Sequence, residues 1–422
     1  MSRMARRVQK VASVTVSVGA DLNLPRIAWE GGPAYWSQFS KAAAAGWNDP
    51  SFFPIGIDPA PFSSAEEVLW DKSLGINTYC GGLNEYCPWS LLQENDMYFV
   101  GAPYNSVNDG QMPANFPNMV GYRLGDETDG IYPDPQDGYD YLNGLIAQYG
   151  NRSDGRFMYN NYTQMCVTDS WAPKERYVND FTDAVSLDMY WYTIPDSSFT
   201  NHGAYVSSVG GPAEDRVATS YGAMTRGLRQ VDDMDSKKQP IWMYVENLYG
   251  GPGDNGDPSK FVRYIAPAEI KGAVMSSIIN EARGIMWFNS AMNAPADKYS
   301  VGNVIRQAQV DTTFFGIPQV TAMGEVNNQV HSLASIINTQ SYVWSFNAQL
   351  ETMLKTYNGF AYIFAMCKNG TAPGSRTFTL PAGMTGTQVQ VIDESRNLTV
   401  SGGTFTDTFA AEYSYHIYKI AL

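Results

Sequence analysis

The chain is poor in the residues that build metal and redox centres. Its 422 residues include 4 cysteines (Cys80, Cys87, Cys166, Cys367) and 3 histidines (His202, His331, His416). Cysteines so thinly spread make no disulfide scaffold, and no CxxC or Cys/His ligand spacing occurs. Buried free thiols are expected, with a Cys80–Cys87 pair as the alternative. No HxH or HExxH is present, which argues against zinc hydrolase chemistry, and there is no GxSxG elbow for a serine nucleophile. Positive charge is also scarce. Against 42 Asp and Glu there are 28 Lys and Arg, a formal net charge of −14, which repels nucleic acid and anionic membrane surfaces. No apolar run reaches 18 residues, so no membrane-spanning helix and no membrane insertion are expected. Arg3, Arg6, Arg7 and Lys10 open the chain, but the following "ASVTVSVGA" alternates Val with Ser and Thr. That period belongs to a strand rather than to the apolar core of a signal peptide, and a basic arm leading into a strand is expected.

Aromatic residues are what the chain has in excess: 27 Tyr, 19 Phe and 10 Trp. Flat amphipathic rings suit both large cores and sugar faces. A chain of this length exceeds the roughly 250 to 300 residues over which a single core grows, so a second, smaller domain is expected. Between residues 50 and 290, eight short β-branched or aromatic runs recur. They are "FFPIGI", "GINTYC", "MYFVGAP", "MVGYRLGDE", "RFMYNN", "AVSLDMYWY", "PIWMYVEN" and "GIMWFNS". Helical stretches separate them: "SAEEVLWDKSLG" has an N-cap Ser, early acids and a closing Gly, and "PQDGYDYLNGLIAQYG" and "PAEIKGAVMSSIINEARG" follow the same logic. Eight strand–helix alternations predict an α/β fold, a (β/α)8 TIM barrel over residues 51–317. A doubly wound open sheet is the competitor, but its Gly-rich nucleotide turn is missing.

After residue 340 the pattern changes to short alternating strands punctuated by Gly, Pro and Asn, which predicts a small C-terminal all-β sandwich over 340–422. Residues 318–339 read as a helical connector. Residues 1–50 read as an N-terminal arm and extension, with Trp29, Tyr35, Trp36, Phe39 and Trp47 packing on the barrel.

In such a barrel the chemistry sits where the strands end. Glu127 falls at the end of the fourth run and Glu246 at the end of the seventh, and these positions face each other across the mouth. Two carboxylates so placed can flank a glycosidic bond, one protonating the leaving oxygen and the other attacking the anomeric carbon. The bland alternatives are a solvated or calcium-binding loop at "DETDGIYPDPQDG", whose spacing is not that of an EF-hand, and a structural role for Glu246. Asp58, Asp126, Asn160, Asp188, Tyr190, Trp191, Trp287 and Asn289 stand at or beside strand ends and are candidate substrate-binding residues. Asp188 is distinctive, because a carboxylate closing an apolar strand needs a partner. "YGGPGDNGD" reads as a Gly-rich flap. The sixth run ends without Lys, which removes the simplest Schiff-base placement. No metal and no cofactor is expected.

With Glu127 after the fourth strand and Glu246 after the seventh, residues 50 to 290 resemble the large clan of retaining (β/α)8 glycoside hydrolases. The clan's usual Asn-Glu pair is here Asp126-Glu127, in "GDET", which alters the contact to the sugar 2-hydroxyl. "TFTDTFAAEYSYHIYKI" resembles the closing strands of the accessory β-sandwich that often follows such barrels. More narrowly, "RIAWEGGPAYWSQFSKAAAAGWNDPSFFPIGI" resembles the opening of minor tail proteins from phages of mycobacteria and related actinobacteria. That resemblance implies a virion location and, as partners, a polysaccharide of the host envelope of the arabinan or galactan class. The basic N-terminal arm would then suit docking on other tail-tip proteins, and a homo-oligomer in the virion is left open. Two other readings stand beside it: a non-catalytic tail module that binds glycan, and a secreted glycosidase.

Overall fold

A computed structural model describes residues 22–81, 83, 87–101, 116–150, 153–168, 171–194, 216–251, 261–292, 294 and 300–422. The basic arm, His202 and residues 252–257 of the Gly-rich flap lie outside them. Each of the eight predicted runs overlaps a strand: β1 (Ile55–Asp58), β2 (Thr78–Cys80), β3 (Tyr98–Gly101), β4 (Met119–Arg123), β5 (Phe157–Tyr162), β6 (Ala184–Leu187), β7 (Ile241–Glu246) and β8 (Gly284–Phe288). They pair in parallel, each with the next, and β8 closes on β1 through the Ile55–Ile285 to Asp58–Phe288 register. The fold is a closed (β/α)8 barrel followed by antiparallel β-sheets.

Alternation along the strands sorts side chains into two layers. Val100, Val120, Phe157, Tyr159, Ala184, Trp242, Tyr244 and Met286 share the interior cluster, while Ile241, Met243, Val245, Ile285 and Trp287 belong to the layer packed against the helices. Helix ends follow local chemistry. Ser64 accepts from the Glu67 N–H to cap the Ala65–Ser73 helix, and Asn303 does the same for Arg306, each worth about 1 kcal/mol.

The N-terminal extension plugs the amino-terminal end of the barrel. Trp36 and Trp47 meet edge to face at 5.0 Å and both pack on Phe157 and Trp242 near the strand starts. Burying roughly 200 Å² per indole at about 25 cal/mol per Å² contributes, as an upper bound, about 5 kcal/mol each. The extension also reaches the second domain, a contact its aromatic residues do not announce. Leu22 lies in the sandwich core and Arg26 bridges to Tyr342.

The connector is one helix, Ile317–Ile337. The sandwich follows with β9 (Ser341–Tyr342), β10 (Leu350–Tyr357), β11 (Phe360–Cys367), β12 (Gly374–Thr379), β13 (Gln388–Val391), β14 (Arg396–Thr399), β15 (Thr404–Phe409) and β16 (Tyr415–Ala421). A six-stranded sheet, β14-β13-β16-β11-β10-β9, faces the two-stranded β12-β15 sheet. Phe378, Phe405 and Tyr418 join the two sheets. All four cysteines are buried thiols.

Candidate active site

Polar side chains replace apolar ones at the carboxyl-terminal end of the barrel. Arg123, the last residue of β4, is 4% exposed and ties the layer together. It donates to Asp58 Oδ2 at 2.6 Å and pairs with Asp126 Oδ2 at 2.6 Å. Asp126 accepts from Asn161 Nδ2, Asn161 Oδ1 accepts from Ser186, and Ser186 in turn bonds to the Tyr159 hydroxyl. Tyr244 closes the ring by donating to Asp58. Gly81, at φ +63°, makes room for the guanidinium, because a Cβ there would stand 1.9 Å from Arg123 Nη1. Without this cation, Asp58 and Asp126 would be unneutralised in or beside a buried layer.

Glu127 does not end the strand itself. β4 stops at Arg123, and Glu127 lies four residues on, at φ 45°, as the residue before the short Thr128–Ile131 helix. Its N–H donates to Asn161 O, one residue before the end of β5. A non-glycine residue in the left-handed region costs about 1 to 2 kcal/mol, which the bonded surroundings must offset. Its carboxyl is hydrogen-bonded to that of Asp188, one residue beyond β6. Burial raises the Glu127 pKa, and the Asp126 charge adds to that; the bond from Asp188 and the Arg123 charge oppose it. Asp188 is pushed far above the carboxylate range by burial and by the negative charge of Glu127. The two therefore titrate as one coupled pair, with the last proton held between the two carboxyls.

Glu246 closes β7. Tyr221 donates to its Oε2 at 2.7 Å and Thr193 to its Oε1 at 3.2 Å. Burial pushes its pKa up to about 7, against the stabilising pull of those two donors. Tyr190 joins the two halves of the site. Its hydroxyl donates to Asp188 Oδ2 at 3.4 Å, its ring stacks on Phe288 at 5.0 Å, and the charges of Asp188, Glu127, Asp126 and Glu246 all bear on it.

Other candidates take different places. Asp58 and Asp126 are held by Arg123. Asn160 is fully buried and donates to Thr128 Oγ1 and Asn161 O. Trp191 is fully buried in the outer core layer rather than lining the mouth. Trp287 has the wrong strand parity for a sugar contact, since Met286 faces the interior and the Trp287 indole donates to Asn327 of the connector helix. Asn289 is fully buried and spends its amide on Pro59 O and Asn303 Oδ1. The acidic loop after β4 is likewise committed to protein donors. Asp129 accepts from the Thr163 and Cys166 N–H groups, and among the described residues no group of three or more His, Cys, Asp or Glu is placed to hold a metal ion.

Arg123, Asn161, Ser186, Thr193 and Tyr221 are site residues that sequence reasoning missed. Period-2 alternation in "GYRL" places Arg123 on the interior face with Gly121, opposite Tyr122 and Leu124 of the outer layer, so that one had a signal. Tyr221 sits in a helix and had none.

Neither a protein-family model nor a curated protein sequence matches the chain. Solved structures do resemble it. One described as a glycoside hydrolase has a TM-score of 0.52 at 10% identity, covering 88% of this chain and 93% of that one. An AmyP variant in complex with maltotriose has a TM-score of 0.50 at 10% identity, covering 90% of this chain and 98% of that one. At such identity the likeness is one of fold: a (β/α)8 barrel and β-sandwich like those of glycoside hydrolases.

Proposed function

We propose that the chain is a retaining glycoside hydrolase in which Glu127 is the acid/base and Glu246 the nucleophile. The observation that carries this reading is the pair of unlike acids at one barrel mouth. Burial raises both, but Glu127 shares a proton with Asp188, whereas Glu246 is held by two hydroxyl donors that favour its ionised form. Such divergent surroundings separate a proton donor from a nucleophile. Glu127 gives its proton to the leaving oxygen as Glu246 attacks the anomeric carbon. The glycosyl ester is then opened by water that loses its proton to Glu127. Neither step requires a cofactor.

The proposed setting is a phage tail, on the strength of the N-terminal resemblance, with arabinan or galactan of the host wall as substrate. The basic arm would meet other tail-tip proteins, in a homo-oligomeric assembly. The fold neighbours named as a glycoside hydrolase and as a maltotriose complex support the reaction class, not the sugar. The test is release of new reducing ends from purified mycobacterial arabinogalactan. Glu127→Gln and Glu246→Gln should each abolish release while leaving the melting temperature nearly unchanged.

One observation favours a second reading, a non-catalytic glycan-binding tail module. Glu246 is 0% exposed, and Tyr190 is stacked on Phe288 near it. Affinity for the polysaccharide without any release of reducing ends would establish this reading and remove the first.

A further inference from the structure

Glu412 stands in the turn between β15 and β16 of the sandwich, yet neither of its carboxylate bonds stays there. Oε1 accepts from the Tyr192 hydroxyl at 2.6 Å and Oε2 from the Ala218 N–H at 2.9 Å, 220 and 194 positions away in the chain. The turn does not depend on this side chain, because Ser414 and Ala411 close it with two bonds of their own. The barrel does have a need for it. The Ala218–Asp232 helix begins at Val217, whose side chain offers no cap, and Glu412 takes the first helical N–H instead. A carboxylate also complements the positive end of the helix dipole.

One turn along that helix, Tyr221 donates to Glu246 and accepts from the Tyr192 N–H at 3.4 Å. The Tyr192 and Tyr221 rings pack 5.8 Å apart. Glu412 thus grips both supports of the Tyr221 hydroxyl: the helix that carries it and the residue that bonds to it. The barrel is shaped to receive the turn. A Cβ at Gly272, in the Pro267–Ile279 helix, would lie 2.6 Å from Tyr413 Cβ and 2.8 Å from Tyr413 O. Arg263 and Glu269, paired to each other, are the charged groups facing Glu412, and the Arg263 guanidinium also lies 5.1 Å over the Tyr192 ring.

We propose that Glu412 is a positioning residue through which the C-terminal sandwich completes the barrel site, fixing Tyr192 and Tyr221 so that Glu246 is oriented for attack. The proposal rests on the reading of Glu246 as nucleophile, and its test separates the two. The full chain and its Glu412→Ala, Glu412→Gln and Tyr192→Phe variants are compared in two assays. The first is hydrolysis of a panel of 4-nitrophenyl furanosides and pyranosides; the second is titration of Glu246 by carboxyl 13C NMR. Losing the oriented donor disfavours the carboxylate, so Glu246 ionises at higher pH.

For Glu412→Ala the expected result is a fall in kcat of tenfold or more with KM within twofold. The acidic limb of the pH profile and the Glu246 midpoint should both rise by at least half a unit. Glu412→Gln, which keeps one acceptor, and Tyr192→Phe, which breaks one link, should shift both in the same direction by less. Should Glu412→Ala fail to fold, these two variants carry the test. An unchanged limb and an unchanged midpoint overturn the proposal even where the wild type is active. A shifted midpoint in a protein that hydrolyses no glycoside supports the link through Glu412 and instead overturns the hydrolase reading.

Discussion

Replacing Asp188 by Asn tests the proton-sharing pair. In the wild type, Glu127 and Asp188 titrate as one unit, and the second proton leaves only when two adjacent carboxylates both become charged. Two unit charges about 4 Å apart at an effective dielectric constant near 20 repel by roughly 4 kcal/mol, equivalent to about 3 pH units. Asp188→Asn removes that repulsion and retains an N–H donor toward Glu127. Glu127 then titrates alone, raised by its burial and by Asp126. The proposed mechanism requires a protonated Glu127, so activity should fall as pH rises through this ionisation. The basic limb of kcat/KM should therefore move down by about 1 to 3 units in the variant. The acidic limb, assigned to Glu246 in the same mechanism, should stay in place. The assay is a pH series of initial rates on a soluble wall polysaccharide, with circular dichroism at each pH to confirm folding. A basic limb that is unmoved or moves upward in a folded variant would refute the shared proton.

Gly81→Ala forces a Cβ against Arg123 while the guanidinium is held by Asp58 and Asp126. It should cost about 2 to 4 kcal/mol in urea denaturation, and a loss below about 1 kcal/mol would contradict the described packing. Trp242→Ala empties a fully buried site ringed by Trp36, Trp47, Phe157 and Tyr159, with an expected loss of about 3 to 5 kcal/mol in the same assay. Stability should also depend on pH. Burial raises the pKa values of Asp129, Asp232 and Glu246 to about 7. The folded state therefore holds protons that the unfolded chain releases near pH 4, and this stabilisation is lost as pH rises toward 7. The melting temperature should be several degrees higher at pH 5.5 than at pH 7.5; a flat or rising profile would show those carboxyls to be ionised in the fold.

The barrel is legible because its strands are buried on both faces and its helices are punctuated by caps, so hydrophobic runs and turn residues recur at a steady spacing. "GIMWFNS" shows where that legibility stops. The run marks β8, but which residues enter the mouth depends on parity, and position at the strand end alone places Trp287 and Asn289 in the pocket. The structure turns both toward the helices and loops. Glu127 and Glu246 are findable because acids rarely follow apolar strands. Their partners are not, since the contacts of Glu127 with Asp188, Glu246 with Tyr221, and Tyr192 with Glu412 join distant segments by tertiary packing. Arg123 lies between these cases: an interior charge in a strand announces a polar layer, though not the two aspartates that neutralise it.

The central claim is that Glu246 forms a covalent bond to the sugar while Glu127 moves the proton. It is tested most directly by trapping with a 2,4-dinitrophenyl 2-deoxy-2-fluoro glycoside of the sugar released, followed by peptide mass spectrometry. One glycosyl adduct should appear on Glu246. It should persist in Glu127→Gln, because this leaving group needs no acid, and vanish in Glu246→Gln. An adduct on Asp188 or any other residue, or turnover of the polysaccharide with no adduct at all, would contradict the account.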